Sequence, residues 1–124
     1  MRYSKQREAV YRTLYHTDTH PDAAWIYAKT KEAEPSIGVA TVYRNLNELV
    51  SAGRIKRISV EGGLERFEAN ISEHGHMVCE RCGRITDLDG DAVSVTCSVG
   101  GVSRCEITLY GICGECREKI KKGE

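Results

Sequence analysis

No stretch of this sequence is long and apolar enough to cross a membrane, because none approaches the roughly 20 apolar residues that a spanning helix needs. Residues 1–20 are charged and polar, so the chain also lacks the apolar segment of a secretory signal. We therefore expect a soluble protein of the reducing cytoplasm.

The chain also lacks net charge, since 18 Lys and Arg residues balance 18 Asp and Glu residues. This balance argues against a protein that coats nucleic acid through charge alone. At 124 residues the chain is long enough for one ordinary domain or two very small ones, and two small domains would each have a thin apolar core. Evidence for DNA binding must therefore come from the pattern of residues.

Cysteine, in contrast, is plentiful, with six residues in this short chain. In a reducing compartment, paired Cys-x-x-Cys motifs are more often metal sites or redox centres than disulfides. Two such motifs occur, Cys79 with Cys82 and Cys113 with Cys116, and four thiolates at this spacing suit a closed tetrahedral zinc site. A thioredoxin-like redox pair is the alternative, but the βαβ context that it needs is missing. We predict structural zinc.

The two remaining cysteines, Cys97 and Cys105, belong to neither motif. We expect them to behave as small buried hydrophobic residues, with thiol sensing as the alternative.

Residues 4–53 show the apolar spacing of three helices. Ser4 is predicted to cap the first, with Arg7 on its surface. The second is predicted to start at His20-Pro21-Asp22, with proline in its first helical position. The third has one apolar stripe and ends at Gly53; the stripe consists of Val39, Val42, Leu46 and Leu49.

A β-hairpin is predicted next, from strands over 54–60 and 64–67 joined by a turn at Glu61-Gly62-Gly63. Three helices followed by a hairpin is the order of a winged helix-turn-helix, in which the third helix enters the major groove of DNA. We assign this domain to residues 1–69.

The face of the third helix opposite the apolar stripe is the predicted DNA-binding surface. Arginine and asparagine can contact base edges through two hydrogen bonds, and threonine and tyrosine can contact phosphates or the thymine methyl group. The alternative is an ordinary amphipathic helix with a solvated polar face. The predicted DNA-binding residues are Ala40, Thr41, Tyr43, Arg44 and Asn47.

Residues 70–124 have a different character, with weak helical periodicity and many cysteine, glycine and β-branched residues. We predict short strands over 77–79 and 84–88, a longer strand over 102–110 and a terminal helix over 115–122, with residues 92–101 as a strand or loop. The predicted fold class is therefore α+β: an amino-terminal winged helix-turn-helix followed by a small carboxy-terminal α/β domain that is stapled by zinc and mediates dimerisation.

A second candidate metal site begins with His74-Gly75-His76. Residues i and i+2 of a strand point to the same side, so both imidazoles can reach one ion. Two carboxylates, Glu68 and Asp87, flank the motif, and His20 lies at the predicted helix start. Such an N/O donor set suits Fe(II), Mn(II), Zn(II) or Ni(II). A solvated loop is the alternative.

Several of these motifs together resemble the Fur superfamily of metal-dependent repressors, which has iron-sensing, peroxide-sensing and zinc-sensing branches. The resemblance covers nearly the whole chain, and the ATVYRNL run and the HxHxxCxxC pattern are its most specific parts. The matching segments are residues 3–7 (YSKQR), 20–23 (HPDA), 40–46 (ATVYRNL), 74–82 (HGHMVCERC) and 110–116 (YGICGEC).

The resemblance implies a role for each candidate residue. Tyr43 and Arg44 fall on the recognition helix, and the family's dimers imply a homodimer on a palindromic, A/T-rich operator in double-stranded DNA. The family's structural zinc ligands fall on Cys79, Cys82, Cys113 and Cys116, and its regulatory metal ligands fall on His20, Glu68, His74, His76 and Asp87.

Two departures from the family pattern matter. Where many members place further histidines for a second site, this chain has Glu73, Gly75, Arg104 and Cys105, so we expect one regulatory site. The segment between Asp87 and Cys113 is shorter than in most members, which bears on the dimer interface.

The sensed signal depends on Glu68. In the resemblance, peroxide-sensing members usually carry aspartate here and iron-sensing members glutamate, although the other ligands look closer to the peroxide-sensing pattern. We expect reversible sensing of Fe(II) or Mn(II), with peroxide or zinc sensing as alternatives. Two functions of other classes are alternatives to a regulator: a small metal hydrolase that uses Glu68 as its base, and a zinc-ribbon adaptor that binds only proteins. The first would need an open coordination position and a substrate cleft.

Overall fold

The computed structural model describes residues 4–71, 75–89 and 91–123, and divides the chain into two compact units, Met1–Ser72 and Glu73–Glu124. The described residues form four helices and five strands, so the predicted α+β class is confirmed. Tyr3, Glu73 and His74 lie outside the described residues.

The first helix, α1, spans Lys5–Tyr15, and the side chain of Ser4 caps it by accepting a hydrogen bond from the Arg7 amide at 3.2 Å. Arg7 itself is buried, and its Nη1 lies 3.4 Å from Oε2 of Glu48. The prediction of a surface position for Arg7 was therefore wrong, because helical periodicity does not show that a carboxylate lies within reach to pair with a buried guanidinium.

A second ion pair holds α1 against the end of the third helix. Arg54 Nη1 and Nη2 donate to the carboxylate of Glu8 at 2.5 and 3.2 Å, and the guanidinium lies 4.1 Å from the centre of the Tyr11 ring. The hydrogen bonds from Arg54 lower the pKa of the Glu8 carboxyl. This pair joins the first helix to the chain segment that follows the third helix.

The second helix, α2, spans Ala23–Ala33 and begins later than predicted. Asp22 is the N-cap, and its side chain accepts from the Trp25 amide at 2.9 Å, whereas Pro21 precedes the helix. The Pro21 carbonyl accepts a hydrogen bond from the Phe67 amide at 2.9 Å, which holds the segment in an extended conformation. Pairing with a distant strand therefore decides the helix start, and the prediction of Pro21 as the first helical residue was wrong.

The third helix, α3, spans Val39–Ser51 and buries Val42, Leu46 and Leu49. Val39 was predicted to belong to the same stripe, but it is 50% exposed. It is the first residue after the Gly38 cap, so the apolar core does not extend to its position. The helix ends before Gly53, whose φ of 74° is the left-handed conformation that glycine adopts readily.

The wing consists of strands β1 (Lys56–Ile58) and β2 (Arg66–Glu68), which pair antiparallel. Both strands are shorter than predicted, and a turn that includes Gly62 at φ 72° joins them. The order α1, α2, α3, β1, β2 is that of a winged helix, as predicted. Its core is formed by Val10, Leu14, Ala23, Ile26, Ile37, Val42, Leu46, Leu49, Ile55 and Phe67.

The second unit contains strands β3 (Gly75–Cys79), β4 (Ile85–Leu88) and β5 (Thr108–Gly111), followed by helix α4 (Gly114–Lys121). The sheet order is β4-β3-β5, with β3 antiparallel to β4 and parallel to β5. In the described parts of the chain, no helix combines the length and apolar character that a bilayer crossing requires.

Residues 91–107 form neither helix nor strand, so the loop alternative predicted for residues 92–101 is the one observed. The strand expected over 102–110 begins only at Thr108. Val95, Val99 and Val102 are exposed, and so are Cys97 and Cys105. Alternation of apolar residues predicts a strand only where a neighbouring strand completes its hydrogen bonds. The expectation that Cys97 and Cys105 are buried was therefore wrong.

Candidate metal centres and nucleic-acid interface

The four cysteines of the two Cys-x-x-Cys motifs meet in the second unit. Their sulfur atoms all lie within 4.8 Å of one another, and Sγ of Cys82 is 3.8 Å from Sγ of Cys113. Tetrahedral zinc with Zn–S bonds of about 2.3 Å requires sulfur atoms about 3.8 Å apart. The number and type of these donors therefore fit a tetrahedral zinc ion, and the Cys82–Cys113 distance already has the spacing that such an ion requires.

Strand pairing brings the two motifs together although 30 residues separate them. Cys79 ends β3 and lies opposite Gly111 of the parallel strand β5, and the Glu80 amide donates to the Gly111 carbonyl at 2.7 Å. The first motif then turns back through Gly83 at φ 78°, while the second follows β5 directly into α4. The ends of two neighbouring strands thus place all four sulfurs at one edge of the sheet.

The surroundings of the sulfurs favour the thiolate form of Cys79 over that of Cys116. Amide hydrogens of Cys113 and Cys82 point to Sγ of Cys79 at 3.3 and 3.4 Å, and they lower the pKa of this thiol to about 6. Burial, together with hydrogen bonds to the neighbouring sulfurs, raises the pKa of Cys116 to about 12. Four thiolates at this spacing repel one another, so a divalent cation is needed for all four to be deprotonated.

In the first unit, His20 and Glu68 form a buried pair in which Nε2 and Oε2 are 3.1 Å apart. Residues 20–22 lie against β2, which brings His20 close to Glu68. One contact between them is the hydrogen bond that Arg66 Nη1 donates to the His20 carbonyl at 3.1 Å. His20 has φ 54°, a left-handed conformation that costs of order 1 kcal/mol or more outside glycine. Contacts from the wing hold the backbone in this conformation, which is typical of functional positions.

In the second unit, His76 and Asp87 lie directly opposite each other on β3 and β4. Nε2 of His76 is 3.4 Å from Oδ1 of Asp87, and the imidazole is buried while the carboxylate is exposed. Gly75 lets the strands approach here, because a Cβ atom at this position would lie 3.1 Å from Leu88 Cδ1 and 3.3 Å from Ile107 Cβ. The strand register therefore supplies a second imidazole and carboxylate pair. His74, predicted beside it, lies outside the described residues.

The predicted DNA-binding face lies along the outer side of α3. Ala40, Tyr43, Arg44 and Asn47 are exposed, and Thr41 is half-buried. Sequence reasoning missed a neighbour of this face, Arg57 of β1, whose Nη2 donates to Oδ1 of Asn47. The sequence shows that a basic residue lies in a predicted strand of the wing. It does not show which residue of α3 this side chain contacts, because that depends on how the wing packs against the helix.

Comparison with known proteins decides what this arrangement belongs to. The profile of the "Ferric uptake regulator family" matches residues 1–98. The chain belongs to this family. The ferric uptake regulation protein of Campylobacter upsaliensis is 36% identical over 130 residues, covering 98% of this chain and 83% of the relative. The peroxide-responsive repressor PerR of Staphylococcus aureus is 32% identical, covering 96% of this chain and 84% of the relative.

The fold of the ferric uptake regulator family is also present in a solved structure, the peroxide stress regulator of Campylobacter jejuni. The two chains are 28% identical, with a TM-score of 0.74, and the match covers 90% of this chain and 88% of the C. jejuni chain. Membership makes the chain a metal-responsive, DNA-binding transcription regulator. The relatives named here are regulators, not hydrolases.

Proposed function

We propose that the chain acts in the cytoplasm as a homodimeric repressor, and that Fe(II) or Mn(II) controls its affinity for a palindromic, A/T-rich operator. One observation carries the proposal: each of the two units contributes a histidine within 3.4 Å of a carboxylate oxygen, His20 with Glu68 and His76 with Asp87. Imidazole and carboxylate donors together suit divalent first-row metals. His74, two residues before His76, is proposed as the fifth ligand.

Zinc is proposed to occupy the four-cysteine site permanently. The site offers four sulfur donors and leaves no protein ligand position for a substrate or signal, which is the pattern of structural zinc. The regulatory ion is proposed to be a different one, since its oxygen and nitrogen donors bind more weakly and select metals by availability. Bound zinc supplies folding free energy, and exchange of the regulatory ion supplies the signal.

A regulatory ion that takes ligands from both units would stabilise the arrangement that lets it bind all of them. If that arrangement is also the one that fits two operator half-sites, metal and DNA must each raise the affinity of the other by the same factor. Coupling of this kind typically amounts to between fivefold and about a hundredfold.

The first test removes one imidazole from each pair. We expect His20→Ala and His76→Ala to retain zinc but to lose most of the increase in operator affinity that Fe(II) or Mn(II) produces, a change of at least about fivefold. His16→Ala is the matched control, because His16 is exposed at the end of α1 and lies outside both pairs. The measurements are metal analysis of the purified protein and DNA binding as a function of Fe(II), Mn(II) and Zn(II). Equal metal responses in all three variants and wild type would contradict the site.

The second test concerns the proposed DNA-binding face of α3. We expect Arg44→Ala and Tyr43→Ala to weaken operator binding by about tenfold or more without altering metal content, because one good base contact is worth about 1–3 kcal/mol. Lys29→Ala, which removes an exposed positive charge from α2, is the control for charge alone. Wild-type affinity in both α3 variants, measured by titration of labelled duplex, would show that another face binds DNA.

Peroxide sensing is the second candidate function, and similarity to the S. aureus PerR favours it. Metal sensing and peroxide sensing use the same fold and the same metal ligands. They differ in whether peroxide oxidises the histidine ligands. Zinc sensing is a further alternative, and it predicts that Zn(II) alone gives the full increase in operator affinity.

A further inference from the structure

Arg57 is held in one position by three neighbours. Its Nη2 donates to Oδ1 of Asn47 on α3, and its Nε lies 2.8 Å from Oε2 of Glu65, the residue before β2. The guanidinium carbon is also 5.8 Å from the centre of the Phe67 ring, which is buried in the core of the unit. A planar guanidinium that makes three contacts at once has less rotamer freedom than one in solvent. Arg57 therefore fixes the side chain of Asn47 relative to the wing.

This contact determines how the Asn47 amide is oriented. A guanidinium group has N–H donors and no acceptor, so Asn47 must turn its oxygen toward Arg57. Its Nδ2 group, with two hydrogens, is then directed away from the wing. The positive charge of Arg57 also polarises the amide, which weakens the oxygen as an acceptor for a second partner and strengthens Nδ2 as a donor. Together the two side chains present N–H donors, while Glu65 balances the charge of Arg57.

The usual pairing of asparagine with adenine requires the opposite, because the amide oxygen must accept a hydrogen bond from the adenine N6 amine while Nδ2 donates to N7. Guanine instead presents two acceptors, O6 and N7, in the major groove. We propose that Arg57 is a positioning residue for base specificity: it commits Asn47 to donating, so that this part of α3 selects guanine over adenine. The proposal rests on the proposed function, in which this face of α3 binds the operator.

The test is selection from a randomised duplex library by the purified, zinc-containing protein loaded with Mn(II). Wild type is expected to enrich a site with guanine at one pair of symmetry-related positions. In Arg57→Met the guanine-to-adenine ratio at those positions is expected to fall by about tenfold, since one bidentate contact discriminates by about this factor or more. Arg57→Lys keeps a charged donor and is expected to retain part of the preference. Lys56→Met removes one positive charge from the same strand and is expected to lower affinity without changing the ratio.

Asn47→Asp separates positioning from simple support of the wing. Aspartate keeps a partner for Arg57 but has no donor to offer, so the guanine preference should be lost even though the contact remains. If Arg57→Met only lowers affinity for all sequences equally, or if Asn47→Asp still selects guanine, the inference is wrong while DNA binding stands. If wild type enriches no duplex with any metal, the proposed function fails, and this inference fails with it. Thermal unfolding of each variant checks that these substitutions leave the fold intact.

Discussion

Replacing Cys113 by serine is expected to release zinc and unfold the second unit. Serine offers a poor ligand for zinc, and it also leaves Sγ of Cys82 without its neighbour at 3.8 Å. Structural zinc contributes roughly 10 kcal/mol or more of apparent folding free energy in small domains. Among the described residues of this unit, the buried apolar side chains are those of Val78, Cys79, Ile85 and Cys116.

So small a core cannot compensate for loss of the ion, since burying one large aliphatic side chain contributes only about 1.5–3 kcal/mol. Two of these four buried side chains are themselves proposed zinc ligands. We expect Cys79→Ser to behave in the same way, because Cys79 Sγ accepts amide hydrogen bonds from both motifs. The effect should therefore be larger than that of any substitution in the first unit's helices.

The measurements are zinc content, circular dichroism and oligomeric state. Cys97→Ser and Cys105→Ser are the matched controls, because they make the same chemical change at exposed positions outside the four-cysteine site. Both are expected to retain zinc and wild-type stability. A stable, dimeric Cys113→Ser protein without zinc would refute the structural assignment, and loss of zinc from the Cys97 or Cys105 variants would show that these thiols matter to the site.

Features that depend on local sequence were predicted well. Ser4 caps α1 because its side chain bonds an amide three residues away, and Gly53 ends α3 because glycine tolerates a positive φ. The four cysteines were predictable as a group because ligand spacing within each motif restricts the chemistry to a few metals. In each case the information lies within a few residues of the feature.

Several features that depend on distant partners were not predicted. α2 begins only at Ala23, after its Asp22 cap, because β2 pairs with Pro21, and Arg7 is buried because Glu48 lies within reach. The strand expected from residue 102 was lost because alternation of valines does not reveal whether a partner strand exists. Likewise, the contact between Arg57 and Asn47 depends on the fold of the wing. These outcomes are set by tertiary packing, which overrides local preference.

Glu68 gives the last prediction: the Fe(II)-loaded protein is expected to keep its histidines intact when peroxide is added at low stoichiometry. Oxidation of histidine ligands needs an open coordination position that peroxide can reach. Glu68 is buried, and its Oε2 lies 3.1 Å from Nε2 of His20. Glutamate is one methylene longer than aspartate, so its carboxylate can occupy the position that peroxide would need. We therefore propose reversible metal sensing over peroxide sensing.

Mass spectrometry of peptides that contain His20, His74 and His76 measures the addition of one oxygen atom. We expect none in wild type, and iron-dependent addition in Glu68→Asp, whose shorter side chain would leave that position open. Glu65→Asp makes the same change outside the proposed site and is expected to stay unmodified. Rapid oxidation of wild type with loss of DNA binding would instead identify a peroxide sensor like the S. aureus repressor. We expect these substitutions to leave zinc in the proposed four-cysteine site, so retained zinc distinguishes a change in iron reactivity from unfolding.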